Sequence, residues 1–322
     1  MKGSQFKRLL AGLKGDLHFV PGSVLSLSSE GQVIEQSLPE STLSGTFEGE
    51  SLSRLRKVLT AKVAVSGEQT LIVGNHKFPL AQDKGEAWTP HLETVAKLRE
   101  QKLCQPVDLE WAKPVMKRSD DTRANLNVVA FIEGFAYVTE GHTLHRKLAR
   151  LQDCGDAYVP FDALGNFPKI GEVQFWAPKR QESEASTGVL QACGRRVYFP
   201  LHEYSYPEVA RITKRAEGER FRCNVDDALK EAFEEAWRLN EEYFVTFASD
   251  AATFESGSWS LKVPLGGSSF KGLKFKLGGG LRLDLSRIKR IEATTNEQPL
   301  RFLGRGGELA IMMPMRFDEE EK

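Results

Sequence analysis

The sequence predicts an α+β fold in which antiparallel strands, carried in repeated units, are accompanied by a few short helices. Three observations carry this. Apolar runs such as Val24–Leu27 and Leu71–Val73 alternate with glycine-rich turns, as strands do. Helical spacing of apolar residues is confined to short stretches at Phe6–Leu13, Ser51–Leu59 and Leu229–Trp237. Two pairs of segments also echo one another: Ser53-Arg-Leu-Arg-Lys-Val58 with Ser286-Arg-Ile-Lys-Arg-Ile291, and Phe78-Pro-Leu80 with Phe199-Pro-Leu201. Echoes of this kind point to duplicated strand-plus-helix units, and strands with helices on one side make an α+β architecture.

The chain has 322 residues, enough for two or three domains of about 100–150 residues each. Its 40% hydrophobic and 27% charged content is that of a globular protein. The formal net charge is zero, so any surface that attracts nucleic acid must be local. Cys104, Cys154, Cys193 and Cys223 are widely spaced without a Cys-x-x-Cys pair, which argues against a disulfide framework or a zinc knuckle and fits a reducing cytoplasm. No apolar run approaches the roughly 18 residues of a membrane span. Lys7 and Arg8 interrupt the first apolar run, so it is not read as a signal peptide.

Along the chain, Phe6, Leu9, Leu10 and Leu13 form one helical face, with Lys7, Arg8 and Lys14 off it and Gly15 placed to stop the helix. Ser51–Leu59 is a second short helix, apolar at Leu52, Leu55, Val58 and Leu59 and basic at Arg54, Arg56 and Lys57. Gly85 to Lys102 reads as a partly helical connector, and a further boundary falls near Pro207 to Gly218. The last part opens with a helix capped by Asn224, with Asp226 and Asp227 in its first turn and Leu229, Phe233 and Trp237 along one face. Strands are expected at Tyr243–Phe247, Trp259–Val263 and Leu273–Leu277, then a second basic helix over Leu283–Ile291. Charge is uneven here. Glu217 to Glu242 holds nine acidic and four basic residues, a net of −5, whereas Lys271 to Arg305 holds nine basic and three acidic, a net of +6. Such separation can present a positive strip to phosphate.

The chain closes on Ile311-Met-Met-Pro-Met-Arg-Phe317 followed by Asp318, Glu319, Glu320 and Glu321. A Met-rich run at this point serves as a final strand, as an adaptable apolar surface, or as both. It resembles the last residues of bacterial DNA polymerase III beta subunits, the DNA sliding clamps. Three further motifs carry the resemblance, in the same order as in that family. Arg123, then Leu126-Asn127, a strand, and the loop Thr139-Glu-Gly-His-Thr-Leu144 are similar to the family's second domain, with departures at Glu140 and Thr143 where the family has aspartate and arginine. Tyr206-Pro-Glu-Val-Ala-Arg-Ile212 is similar to the family's linker between second and third domains. The likeness covers roughly the last two-thirds of the chain, and the first domain is expected to be trimmed.

The resemblance implies three repeated DNA-clamp domains, with helices lining a ring interior and antiparallel sheets outside, closed into a ring by an oligomer, most simply a homodimer. The domains would be 1–88, a connector at 89–103, 104–208, and 209–322 with the acidic tail. It implies a processivity factor that encircles duplex DNA and tethers a polymerase and a clamp loader through short linear peptides. The implied peptide groove is lined by Leu126, Thr139, Gly141, His142, Leu144, Pro207, Arg211, Ile212, Tyr243, Met312, Met313, Pro314, Met315 and Arg316. DNA phosphate would meet Lys7, Arg8, Arg54, Arg56, Lys57, Lys117, Arg118, Arg287, Lys289 and Arg290. The divergence suggests a bacteriophage-encoded clamp in the cytoplasm of a bacterial or phage-infected cell. The alternative is a clamp-fold adaptor or decoy that binds clamp-motif peptides without encircling DNA.

Other chemistries are weaker in the residues. Glu140, His142 and His145 invite a metal reading, but no HExxH helix is present and no further ligand completes a site. Gly278–Gly280 and Gly304–Gly307 read as hairpin turns, since the chain has no Gly-Lys dipeptide for a phosphate loop. No nucleophile, base and orienting group stand in a motif, so neither catalysis nor a cofactor is expected.

Overall fold

The computed structural model describes all residues except 61–64, 83–84, 117–120, 150–153, 179–186, 202–205, 215–216, 240–241, 279–284 and 316–322. The α+β class holds: antiparallel sheets dominate, and helices are few and mostly short. Among the described residues no helix is long and apolar enough to cross a membrane. The chain forms two compact units, Met1–Glu110 with Arg150–Glu203, and Trp111–Ala149 with Tyr204–Lys322.

The first unit is built on a seven-stranded sheet ordered Gln174–Trp176, Thr187–Ala192, Arg195–Pro200, Val33–Ser37, Ser23–Leu27, Leu17–Val20 and Gly45–Phe47. A three-stranded sheet, Val65–Ser66, Thr70–Val73 and His76–Pro79, accompanies it. The two Phe-Pro echoes share a role, because Pro79 and Pro200 each end a strand. Proline has no N–H to extend a ladder. The connector is more ordered than its sequence suggests. Gly85–Arg99 is one helix that runs through residue 88, and it buries Trp88, Val95 and Leu98 against Leu25, Val33, Val189 and Tyr198. Those three residues recur at i, i+7 and i+10, which puts them on one helical face. At the helix end, Arg99 pairs with buried Glu35, whose other carboxylate oxygen accepts from the Tyr198 hydroxyl at 2.7 Å.

The opening helix is shorter than expected. It spans Gly3–Leu9, and the chain turns away through Gly12 at φ +83° before Gly15 is reached. Leu10 and Leu13 are still buried, from the turn rather than from the helix. The basic helix Leu52–Val58 forms as predicted, with Leu52 and Leu55 inside.

The second unit packs the helix Asp227–Leu239 against strands of two sheets. One is four-stranded, ordered Trp259–Pro264, Ala251–Ser256, Glu242–Phe247 and Leu273–Gly278. In the other, the strands of this unit run Val128–Ile132, Phe135–Thr139, Thr143–Leu148, Leu309–Met312, Leu300–Gly304, Ile288–Ala293 and Phe221–Asn224. Phe233 makes edge-to-face contacts with Phe254 at 5.0 Å and with Phe302 at 5.5 Å, one from each sheet. The helix cap is Asp226, whose Oδ1 accepts from the Leu229 N–H at 2.9 Å. Asn224, the cap expected from sequence, is the last residue of a strand instead.

The second basic helix is not a helix. Leu285–Arg287 is one 3-10 turn, and Ile288–Ala293 is a strand. A register shift between Ile288 and Arg290 marks a bulge against Leu300–Gly304. A bulge places two residues opposite one and resets the side-chain alternation. Ile288 and Ile291 are therefore both buried at i, i+3, a spacing that imitates a helix. Propensity separates the two echoes, since leucine favours helix and β-branched isoleucine favours strand.

Candidate functional site: a cleft beside the C-terminal strand

The terminal Met-rich run divides between core and surface within two residues. Met312 is in the core and pairs with Thr143 on one side and Leu300 on the other. Met313, 42% exposed, is one of few large apolar side chains facing solvent among the described residues. Its N–H donates to the His142 carbonyl at 2.9 Å. Pro314 then breaks the ladder, and Met315 bridges to Lys276, donating its N–H to that carbonyl at 2.8 Å. The segment thus leaves one sheet and joins the edge of the other.

The Thr139–Leu144 turn is held by its own side chains. Gly141 donates to Thr139 Oγ1 at 3.0 Å, and Thr139 Oγ1 in turn donates to the Thr143 carbonyl. Glu140 Oε1 accepts from the N–H groups of His142 at 3.2 Å and Thr143 at 3.0 Å. The longer carboxylate therefore still performs the capping that an aspartate does in such turns. Arg123 Nη1 donates to the Glu140 carbonyl at 3.1 Å and so braces the turn from outside. Gly141 has φ +103°, and a Cβ there would lie 2.4 Å from Arg123 Nη1. Leu126, Thr139 and Leu144 are buried behind this turn, and His142 is exposed.

Beside Met313 opens a cleft of about 870 Å³, within the usual size of ligand clefts. Arg211 and Ile212, from the short helix Val209–Thr213, form one wall. Thr294, Thr295, Glu297, Gln298 and Pro299, from the hairpin between Ile288–Ala293 and Leu300–Gly304, form another. Lys214, Glu217 and Arg301 complete the lining. Arg301 Nη2 donates to the Thr213 carbonyl at 3.1 Å, fastening the end of the short helix to the sheet. The lining mixes three cations, two carboxylates and the apolar Ile212, Pro299 and Met313, which suits an extended peptide with both apolar anchors and polar backbone.

The predicted groove residues are thus placed in three ways. Gly141 is bonded to Thr139, His142 to Met313, and Met312 pairs with Thr143 of the same turn, while Arg211, Ile212 and Met313 share the cleft. Pro207 is half-buried just ahead of the short helix, and Pro314 is half-buried after Met313. Tyr243 is a correction. It is 1% exposed in the core, where its hydroxyl accepts from Trp237 Nε1 at 2.8 Å and burial holds its phenol well above the ordinary range. Arg316 lies outside the described residues, as does the acidic tail. The hairpin residues 294–299, Arg301 and the bracing Arg123 are additions. Their only sequence signal is a polar turn cluster before Pro299 and an arginine inside the quoted motif.

The predicted DNA contacts also divide. Lys7, Arg8, Arg54 and Lys57 are exposed on the two short helices of the first unit. Arg56 is turned inward, donating to the Leu13 carbonyl at 2.6 Å and the Leu10 carbonyl at 3.4 Å, so it caps the end of the first helix. In the second unit Lys289 is exposed, whereas Arg287 donates to Glu308 at 2.9 Å and Arg290 lies 3.7 Å from Glu292. Those three residues project from a 3-10 turn and a strand, not from a helix. Lys117 and Arg118 lie outside the described residues. His142 and His145 do not share an environment: the first is exposed and the second is buried against Trp111, with ring centroids 6.3 Å apart. Among the described residues no group of three or more His, Cys, Asp or Glu side chains is placed to hold a metal.

No family model and no curated protein matches this sequence. Solved structures do match its fold. The DNA polymerase III subunit beta of Bartonella birtlesii, solved with griselimycin bound, superposes with a TM-score of 0.68 at 14% identity, covering 98% of this chain and 99% of that one. The beta clamp of Helicobacter pylori, solved with a DNA ligase peptide, gives 0.64 at 12% identity over the same shares. The Pseudomonas aeruginosa subunit gives 0.66 at 14% identity over 96% of each chain. At this identity the likeness lies in the backbone plan over nearly the whole length and not in most side chains. The chain has the fold of the bacterial DNA polymerase III beta subunits, the DNA sliding clamps.

Proposed function

We propose that this protein is a sliding clamp: a non-catalytic processivity factor that encircles duplex DNA and tethers partner proteins by short peptides. The observation that carries the reading is the exposed Met313, tied by its backbone to the His142 turn and lining the cleft with Arg211 and Ile212. Of the residues that the motif resemblance pointed to, Arg211, Ile212 and Met313 line this opening, and His142 is linked to it through its hydrogen bond with Met313. Met313 and Ile212 would receive apolar anchors of the peptide, and Arg211 its carbonyls or a carboxylate. The solved clamp with a DNA ligase peptide supports this class of ligand.

In this reading each chain supplies three clamp-type domains at about 1–88, 104–208 and 209–322, and two chains close head to tail. A closed ring needs no base readout, because topology does the holding. Exposed Lys7, Arg8, Arg54, Lys57 and Lys289 supply weak, salt-sensitive phosphate contacts that permit sliding. The low identity to cellular clamps fits a divergent, bacteriophage-encoded protein working in an infected cell. A second reading, a clamp-fold adaptor that does not encircle DNA, is favoured by one observation: Arg56, Arg287 and Arg290 are all engaged within the protein.

Retention on closed circular DNA, compared with the same DNA linearised, separates the two. A ring leaves linear DNA by its ends, so retention should drop on linearisation. Equal retention on both forms, or none on either after loading, would reject encirclement and leave the adaptor.

A further inference from the structure

Two of the four cysteines meet in the first unit. Cys104 and Cys154 are about fifty positions apart, yet both lie against one peptide of the strand Gln174–Trp176. The Phe175 N–H donates to Cys104 Sγ at 3.2 Å, and the Phe175 carbonyl accepts from the Cys104 N–H at 2.9 Å. That carbonyl also accepts from Cys154 Sγ at 3.5 Å. Both sulfur atoms thus reach the backbone of the same residue. The N–H and C=O of one strand residue point to the same edge of the strand, so the sulfur atoms stand side by side along the edge not taken by Thr187–Ala192. The neighbouring backbone is pinned as well. Gln174 Nε2 donates to the Cys104 carbonyl at 3.1 Å, and the Gly155 N–H donates to the Ala177 carbonyl at 3.1 Å. Both cysteines are therefore held against the same stretch of one strand.

We propose that Cys104 and Cys154 form a reversible intramolecular disulfide when the protein meets a two-electron oxidant of the peroxide class. Cys104 is buried, and Cys154 is half-exposed. Cys154, the more exposed of the two, is the sulfur that meets the oxidant first, while the adjoining thiol and burial keep Cys104 protonated. Its thiolate takes an OH from the peroxide, whose O–O bond breaks; the hydroxide released collects the thiol's proton as water. Cys104 sulfur then attacks Cys154 sulfur. The S–O bond breaks, and the departing OH leaves with the Cys104 proton as a second water. Two thiols are oxidised and one hydrogen peroxide is reduced to two waters; a dithiol reductant reverses the bond by exchange. The bond would close residues 104–154 into a loop and so restrict the unfolded chain.

The test uses the full chain in a Cys193→Ser background, because Cys193 is exposed and could link two molecules. After hydrogen peroxide treatment, peptide mapping without reduction should recover Cys104 joined to Cys154. Two thiols should vanish from a titration under denaturing conditions and return with dithiothreitol. The urea midpoint of the oxidised protein should exceed that of the reduced protein, and Cys154→Ser should abolish the difference. Cys154 recovered as sulfenic or sulfinic acid without linkage, or two thiols that stay titratable, would overturn the proposal. Cys154→Ser is chosen over a change at buried Cys104 so that folding is preserved.

Discussion

His18 is buried in the first unit, with Nδ1 3.0 Å from Thr46 Oγ1 and its ring stacked on Trp88 at 5.2 Å. Burial lowers its pKa below the ordinary imidazole value. A group depressed in the folded state contributes stability that is complete above the unfolded pKa of about 6.5 and is lost as pH falls through the folded value. The thermal midpoint should therefore hold steady above about pH 7 and decline below about pH 6 more steeply than in His18→Asn; parallel profiles would refute the assignment. Gly141 makes a different demand. Alanine there would carry φ +103° and collide with Arg123 Nη1. Gly141→Ala should cost about 1–3 kcal/mol of stability through backbone strain, read from urea unfolding. It should also weaken binding of a polymerase-derived peptide at least about tenfold, read by calorimetry. Peptide affinity equal to that of the wild type would separate the turn from the site. Cys223 is buried beside Asp226, which together with burial pushes its thiol up to about 12, and it is expected to resist alkylation until the second unit unfolds.

Among the elements, the helix Asp227–Leu239 is the one most plainly written in the chain. Leu229, Phe233 and Trp237 fall on its buried face as their spacing requires. Phe233 touches aromatic rings from both sheets, so Phe233→Ala should cost about 3–5 kcal/mol, seen as a lowered denaturant midpoint; a loss below about 1 kcal/mol would mean that the sheets close up without it. The strands at Tyr243–Phe247, Trp259–Val263 and Leu273–Leu277 were equally legible, because alternation and turn residues are local signals. What was not legible depends on distant partners. The bulge at Ile288–Arg290 exists only against Leu300–Gly304, and it gives a strand the spacing of a helix. Tyr243 looks like any tyrosine opening a strand until Trp237 is placed over its hydroxyl. Arg56 reads as a free surface cation until the carbonyls of Leu10 and Leu13 arrive beside it. The candidate site divides the same way: the turn and the Met-rich strand are legible as motifs, whereas the hairpin 294–299 joins them only through tertiary packing.

For the whole molecule, a neutral chain gives no general attraction to DNA, so under the proposed clamp reading residence would come from topology and assembly rather than from charge. Light scattering behind size exclusion should return twice the chain's 36.0 kDa if two chains close a ring; a monomer that persists at every accessible concentration would favour the adaptor. The division into units has a consequence for how such a protein can be made and cut. Each unit is discontinuous, since Trp111–Ala149 interrupts the first and Arg150–Glu203 interrupts the second. During synthesis the first unit cannot close until residue 203 has emerged, and by then the apolar strands Val128–Ile132 and Phe135–Thr139 already exist without Leu309–Met312, which must be made before their sheet is complete. Non-local pairing of this order slows folding and leaves strand edges open meanwhile. No single cut, by protease or by gene truncation, therefore separates the two units cleanly: a cut after residue 203 leaves the first unit whole but burdened with Trp111–Ala149, and a fragment ending between residues 111 and 202 lacks part of both.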